Sequence, residues 1–157
     1  MNAANAKWID VVRPGVIKDN ASFTGVEIDT LGYDYLEVAV QLGATDIAMA
    51  ALKVGEYDTT GGDSGAYTNI TGLVFGTSTG SAGSASTLPS ATDDDKIFLF
   101  NIDLKGRQRF LMLTATAGDG STGSYLSAIG RLTQAEKVPS TAAQYGASQV
   151  LQAPAYT

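Results

Sequence analysis

The sequence predicts an all-β fold: a single-domain β-sandwich of the jelly-roll kind, with extended N- and C-terminal arms. Three observations predict it. About eight short apolar segments recur roughly every 8–14 residues with turn residues between them, and no long segment reads as a helix. Several segments alternate apolar and polar residues, the mark of a strand with one buried face. The chain has 157 residues, enough for one domain that buries roughly two-thirds of its unfolded surface.

The elements follow in order. Met1 to Ala6 is a small polar lead-in, the N-terminal arm. Trp8 to Val12 is apolar and is stopped by the turn residues Arg13-Pro14-Gly15. Val16 and Ile17 restart a strand, and Phe23 to Ile28 places Val26 and Ile28 on one face. Tyr35 to Leu42 alternates cleanly. Leu36, Val38, Val40 and Leu42 point one way, and Tyr35, Glu37, Ala39 and Gln41 point toward solvent or a partner. Ile47 to Val54 reads as a strand by its length, with a helical turn as the alternative, and Gly55 to Gly65 reads as a loop. Tyr67 to Phe75 is a strand with Gly72 as a bulge position. Gly76 to Asp95 is low in complexity and has almost nothing to bury, so a long exposed loop is expected.

Lys96 to Leu132 is the best-organised stretch. It reads as a β-meander of strands Ile97 to Asp103, Arg109 to Ala115 and Tyr125 to Leu132, joined by a basic turn and by a glycine-rich turn. Phe98, Phe100 and Ile102 oppose Ile97 and Leu99. Arg109 to Ala115 is apolar on both faces, which predicts a strand that is central or covered on both sides. The strand pattern ends after Glu136. Residues 1–137 therefore form the body with its N-terminal arm, and residues 138–157 an extended C-terminal arm.

Composition narrows the function. Charged residues are 17% of the chain against a usual ~25%, and its polarity is carried by Gly, Ser, Thr, Asn and Gln. A net charge of −6 with ten scattered cations argues against a nucleic-acid surface. With no Cys there are no disulfides and no thiolate metal sites. With no His, Ser-His-Asp and Cys-His catalysis are impossible within the chain. The N-terminal residues lack an apolar run of signal-peptide length, and no stretch reaches the ~20 apolar residues of a membrane helix. The expectation is a non-enzymatic protein without cofactor, made in the cytoplasm as a soluble chain, with neither nucleic acid nor membrane as partner.

Four groups of residues invite chemistry. Asp93-Asp94-Asp95 offers carboxylate oxygens to a cation but lacks the EF-hand spacing, so a solvated acidic patch is the plainer reading. Gly118-Asp119-Gly120-Ser121-Thr122-Gly123 looks like a phosphate cradle but lacks the Lys of a P-loop, which leaves a strand-connecting turn. Glu56, Asp58 and Asp63 share a loop from which a carboxylate pair for glycoside hydrolysis is conceivable, but such a pair needs a groove and sugar-stacking aromatics, and the chain offers one Trp and a flexible loop. Lys105, Arg107 and Arg109 either pair with acids of a neighbouring subunit or sit on a solvated turn. Trp8 is either a core plug or an anchor in a partner's pocket.

The stretch from Asp94 to Phe110, the glycine-rich turn with Ser124 to Ile129 after it, and Arg131-Leu132-Thr133-Gln134-Ala135-Glu136 resemble a family. They are similar to small structural proteins encoded near the major capsid gene of tailed bacteriophages, the capsid decoration or cement proteins. The resemblance covers about residues 94–146 and includes no catalytic motif. It implies a β-sandwich body that is often trimeric, seated on the capsid surface, with the major capsid protein as partner and the virion, assembled in the host cytoplasm, as location. On that reading the partner contacts are expected at Lys7, Trp8 and Arg13 and along the C-terminal arm at Val138, Tyr145, Val150, Leu151 and Tyr156. The alternative is a carbohydrate-binding module or a fibre or tail adhesin of the same fold, using Tyr57, Tyr67 and Trp8 to stack on sugars.

Overall fold

The computed structural model describes residues 5–63, 65–79 and 85–151. Among the described residues nine strands form two antiparallel sheets: β1 (Ala6–Val12), β2 (Ser22–Phe23), β3 (Ile28–Asp29), β4 (Tyr35–Thr45), β5 (Ala51–Tyr57), β6 (Thr68–Val74), β7 (Ile97–Asp103), β8 (Phe110–Thr116) and β9 (Ser124–Thr133). One sheet has the order β1-β9-β4-β7. The other has the order β2-β8-β5-β6, and β3 also pairs with β8. The chain therefore behaves as a long hairpin ribbon. β1 pairs with β9, β2 and β3 with β8, β4 with β7, and β5 with β6. Folding that ribbon over itself adds the β9–β4 and β8–β5 pairings, which is the strand order of a jelly roll.

Each strand of the two inner layers buries one set of alternating side chains. From one sheet come Leu36, Val38, Val40 and Leu42 of β4 and Leu126, Ala128 and Leu132 of β9, and from the other Leu52, Val54, Leu111 and Leu113, all nearly inaccessible. β8 lies between β5 on one side and β2 and β3 on the other, so its expected central place holds. At the open side between β6 and β7, Phe75 meets the edges of Phe98 and Phe100, with ring centroids 5.5 and 5.1 Å away. Such contacts add to area burial by about 0.5–1.5 kcal/mol.

Three expectations are corrected. The stretch from Lys96 to Leu132 is not a meander: β7 and β9 belong to one sheet and β8 to the other. Period-two alternation says which face of a strand is apolar but not which strand lies beside it. β5 begins at Ala51 and runs to Tyr57, taking in residues read as loop; the preceding turn is instead held by the buried Met49, whose amide donates to Pro89 O at 2.8 Å. β1 begins at Ala6, the last residue of the expected lead-in.

Among the described residues the segment after β9, 134–151, carries no strand and is folded back. The amide of Trp8 donates to Tyr145 O at 2.8 Å, on the outer edge of β1. Gly146 has φ +74°, and a Cβ there would stand 1.8 Å from Trp8 O. Only glycine permits this approach.

Replacing the buried Leu111 by Ala is expected to lower unfolding free energy by about 2–5 kcal/mol, whereas Leu31→Ala, at a side chain 67% exposed, is expected to change it by less than about 0.5 kcal/mol. Denaturant titration with an unchanged slope checks both.

Candidate interaction face

The outer side of the β1-β9-β4-β7 sheet is the most distinctive surface. Antiparallel register sets side chains in rows across four strands. One row is Asp10, Ile129, Ala39 and Leu99; the next is Trp8, Arg131, Glu37 and Asn101; the third is Ala6, Thr133, Tyr35 and Asp103. Partners in a row lie roughly 4.5–5.5 Å apart at Cβ. Trp8, Tyr35, Ile97, Leu99, Tyr125 and Ile129 all point outward and are between 41% and 62% exposed. These side chains share the outer side with Asp10, Glu37, Asn101, Asp103 and Arg131, a mixed face whose open apolar residues make it the candidate interaction surface.

The middle row is electrostatic. Arg131 Nη1 lies 3.2 Å from Glu37 Oε2, and its guanidinium stands 5.8 Å from the Trp8 ring centroid. Both ion-pair partners are partly solvated, so the pair contributes at most about 1 kcal/mol. Its larger effect is positional: it holds a planar cation beside the indole and leaves the face electrically neutral there. Below it, a shallow trough of about 540 Å³ runs beside Tyr35, Glu37, Asn101, Arg131 and Thr133.

The opposite sheet presents no such face. Its outward residues Lys53, Met112, Thr114 and Thr116 are half-buried. Tyr67 packs on Gly55 of β5, and its hydroxyl donates to Glu27. Glu27 also accepts from Thr60 Oγ1 at 2.6 Å and from the Gly61 amide at 2.9 Å. These bonds tie down the loop after β5 and hold the Glu27 carboxyl below its usual range, Thr60 first and Tyr67 next.

The acidic residues are similarly occupied. Asp46 accepts from the Ser121 and Thr122 amides at 2.5 and 2.7 Å, and Asp19 from the Gly120 amide at 3.0 Å. The glycine-rich turn is thus an anion nest filled by the chain's own carboxylates. A Cβ on Gly120 would stand 2.4 Å from Asp46 Oδ1. The backbone amides of Thr122 and Ser121 hold Asp46 well below the usual carboxylate range. The Asp93–Asp95 run is divided: Asp93 accepts from Ser90 and pairs with Lys96 at 2.9 Å, while Asp94 accepts from the Thr45 amide at 2.8 Å. Glu56 pairs with Arg107, Asp58 accepts from the Thr59 hydroxyl, and Asp63 from the Gly65 amide. Among the described residues no group of three Asp or Glu is arranged to hold a metal ion.

The expected contact residues separate. Lys7 and Val138 line one small cleft, and Trp8 and Tyr145 meet through their backbones, so these four come together at the β1 edge. Arg13, paired with Asp10 at 2.8 Å, follows at the far end of β1, about 17 Å along the strand from Trp8. Val150 is half-exposed and Leu151 fully so; Tyr156 lies outside the described residues. Of the basic group, Arg109 forms a bidentate pair with Asp29 (2.8 Å for each bond) and Arg107 pairs with Glu56 at 3.2 Å, both within the chain rather than across an interface. Lys105 remains exposed. Tyr67 is buried and tilted against Tyr57 at 5.6 Å, so the two rings form no open platform.

Comparison of the chain with family models, curated proteins and solved structures returned no match.

The carboxyls of Asp46, Asp29 and Glu27 are all held below their usual values. A lowered folded-state value stabilises the fold above the unfolded value, and the contribution is lost as pH falls through the folded one. The melting temperature is expected to stay level from neutral pH to about pH 5 and to drop below about pH 4. Asp46→Asn is expected to lower it at neutral pH and make the acid drop shallower; thermal melts across pH check both.

Proposed function

We propose that this protein is a non-enzymatic structural component of a phage virion. It binds the outer surface of the assembled capsid and stabilises it. The observation that carries this reading is the set of open apolar side chains on the outward face of the β1-β9-β4-β7 sheet, beside a C-terminal segment that meets the edge of β1. A flat face of this kind fits a macromolecular surface, while small molecules favour concave sites. The acids that would be needed for hydrolysis each serve a separate structural bond. The resemblance of residues 94–146 to capsid decoration proteins supplies the partner class, the major capsid protein.

The contact is centred on Trp8, with Lys7, Val138 and Tyr145 around the β1 edge. Trp is a frequent anchor of binding energy because a single side chain removes a large apolar area from water. The mechanism is mass action: a ligand that binds only the assembled lattice raises its stability in proportion to the logarithm of its free concentration over Kd.

Purified protein added to expanded capsids that lack it is expected to bind saturably and raise their melting temperature. Trp8→Ala is expected to weaken binding at least about tenfold, as loss of an interface anchor does, and deletion of residues 138–157 to abolish it. Undiminished binding by both variants would remove the proposed contact, and no binding by the intact protein would remove the reading.

A further inference from the structure

A jelly roll leaves four strand edges, each a row of unpaired backbone groups that must be managed. Three are managed here. The edge of β1 is bulged between Asp10 and Val12, takes the Tyr145 carbonyl on its Trp8 amide and offers Val11 O to the Val26 amide. The edge opposite β8 is broken into β2 and β3. The edge of β6 is bulged between its pairings at Asn69 and Val74, with Gly72 at φ +90°. The fourth edge, β7, is different. Its seven residues pair with β4 in unbroken register.

Register also shows which backbone groups β7 leaves free. Leu42 donates to Lys96 O and Leu104 donates to Asp34 O. In an antiparallel pair every second residue exchanges bonds with its opposite. Phe98, Phe100 and Ile102 therefore bond to β4, and the amides and carbonyls of Ile97, Leu99 and Asn101 point outward. Among the described residues none supplies a backbone partner to them. A cleft of about 210 Å³ lies between Leu99, Phe100 and Asn101 on one side and β6 with Phe75, Ser78, Thr79 and Ser86 on the other. The strand reads Ile-Phe-Leu-Phe-Asn-Ile-Asp, with neither Pro nor Lys to block pairing, and Ile97 and Leu99 are 62% and 57% exposed.

We infer that β7 is a self-association edge: two copies of this chain pair their β7 strands antiparallel about a two-fold axis at Phe100, joining two four-stranded sheets into one. Charge selects this occupant and this register. Asp95 lies five residues before Phe100 and Lys105 five residues after it, each in the turn that flanks β7, and both are exposed. Antiparallel pairing centred on Phe100 brings the turn that carries Asp95 of one copy beside the turn that carries Lys105 of the other, twice. It also makes Leu99 and Asn101 of opposite copies exchange the outward hydrogen bonds. Lys105 thereby gains the inter-subunit role that Arg107 and Arg109, satisfied within the chain, do not have. The contact is isologous and closes at two copies, in place of the three-fold assembly that the resemblance implies. The pairing edge is separate from the capsid contact centred on Trp8 at the other edge of the sheet, while the Ile97 and Leu99 side chains belong to the outward face that both share.

Sedimentation over a wide range of protein concentration tests it. The intact chain is expected to move from 16.2 kDa to twice that mass with rising concentration. Leu99→Lys, which puts a charge on the edge, is expected to weaken association at least about tenfold. Lys105→Glu, which sets two acids beside each other, is expected to weaken it several-fold, while Lys18→Glu, the same charge change away from the edge, leaves it unchanged. A monomer at all concentrations, a three-chain assembly, or a dimer indifferent to both Leu99→Lys and Lys105→Glu would overturn the inference.

Discussion

The structure depends on the place of β9. This last strand lies between β1 and β4, hydrogen-bonded to both along nearly its whole length. Ser124, Leu126, Ala128, Gly130 and Leu132 form its buried side. Ser124 adds a buried hydroxyl bond to Thr45 at 2.5 Å, and its backbone bridges Lys18. Until β9 is in place, β1 has no neighbour in its sheet and β4 has one. Long-range closure of this kind is slow, because loop entropy is lost before the contacts repay it. The consequence for function is geometric: with β9 and β4 in the middle of the sheet, β1 and β7 must be its edges. The outward rows of all four strands then become one continuous face.

Electrostatics serves the scaffold. An acidic chain with little charge and no His has few means of general acid–base chemistry near neutral pH. Its carboxylates are used as acceptors instead. Glu27 holds a loop, Asp46 and Asp19 hold a turn, and Asp29 orients Arg109. These bonds organise the loops at both ends of the sandwich without packing side chains under them. The cost of that economy appears at low pH, where the acceptors are neutralised.

The fold class was legible because alternation is a strong local signal. Leu36 to Leu42 and Phe98 to Ile102 announce a buried face directly, and two such faces with no helix require a sandwich. The pairing was not legible, since Ile97 to Leu132 gives the same pattern whether its strands are neighbours or belong to different sheets. The interaction face was half-visible. Ile97 and Leu99 stand opposite Phe98 and Phe100, so β7 carries apolar residues on both faces, and a half-exposed strand has no need of that. Tyr125 and Ile129 repeat the signal on β9. Their union into one patch depends on strand order, which short-range sequence does not carry. The Asp46 nest was hidden for the same reason, its acid and its amides being 75 residues apart.

The two edges of one sheet divide the proposed roles: β1, met by the C-terminal segment, lies at the proposed capsid contact, and β7, in unbroken register with β4, at the proposed contact between copies. Residue-resolved amide hydrogen exchange on the free protein tests this division most directly. At concentrations where the chain is monomeric, the amides of Phe98, Phe100 and Ile102 should be protected by β4, while those of Ile97, Leu99 and Asn101 exchange freely; raising the concentration should protect the second set alone. Equal protection of both sets in the dilute monomer would mean that the β7 edge is already covered within one chain, and would contradict the account.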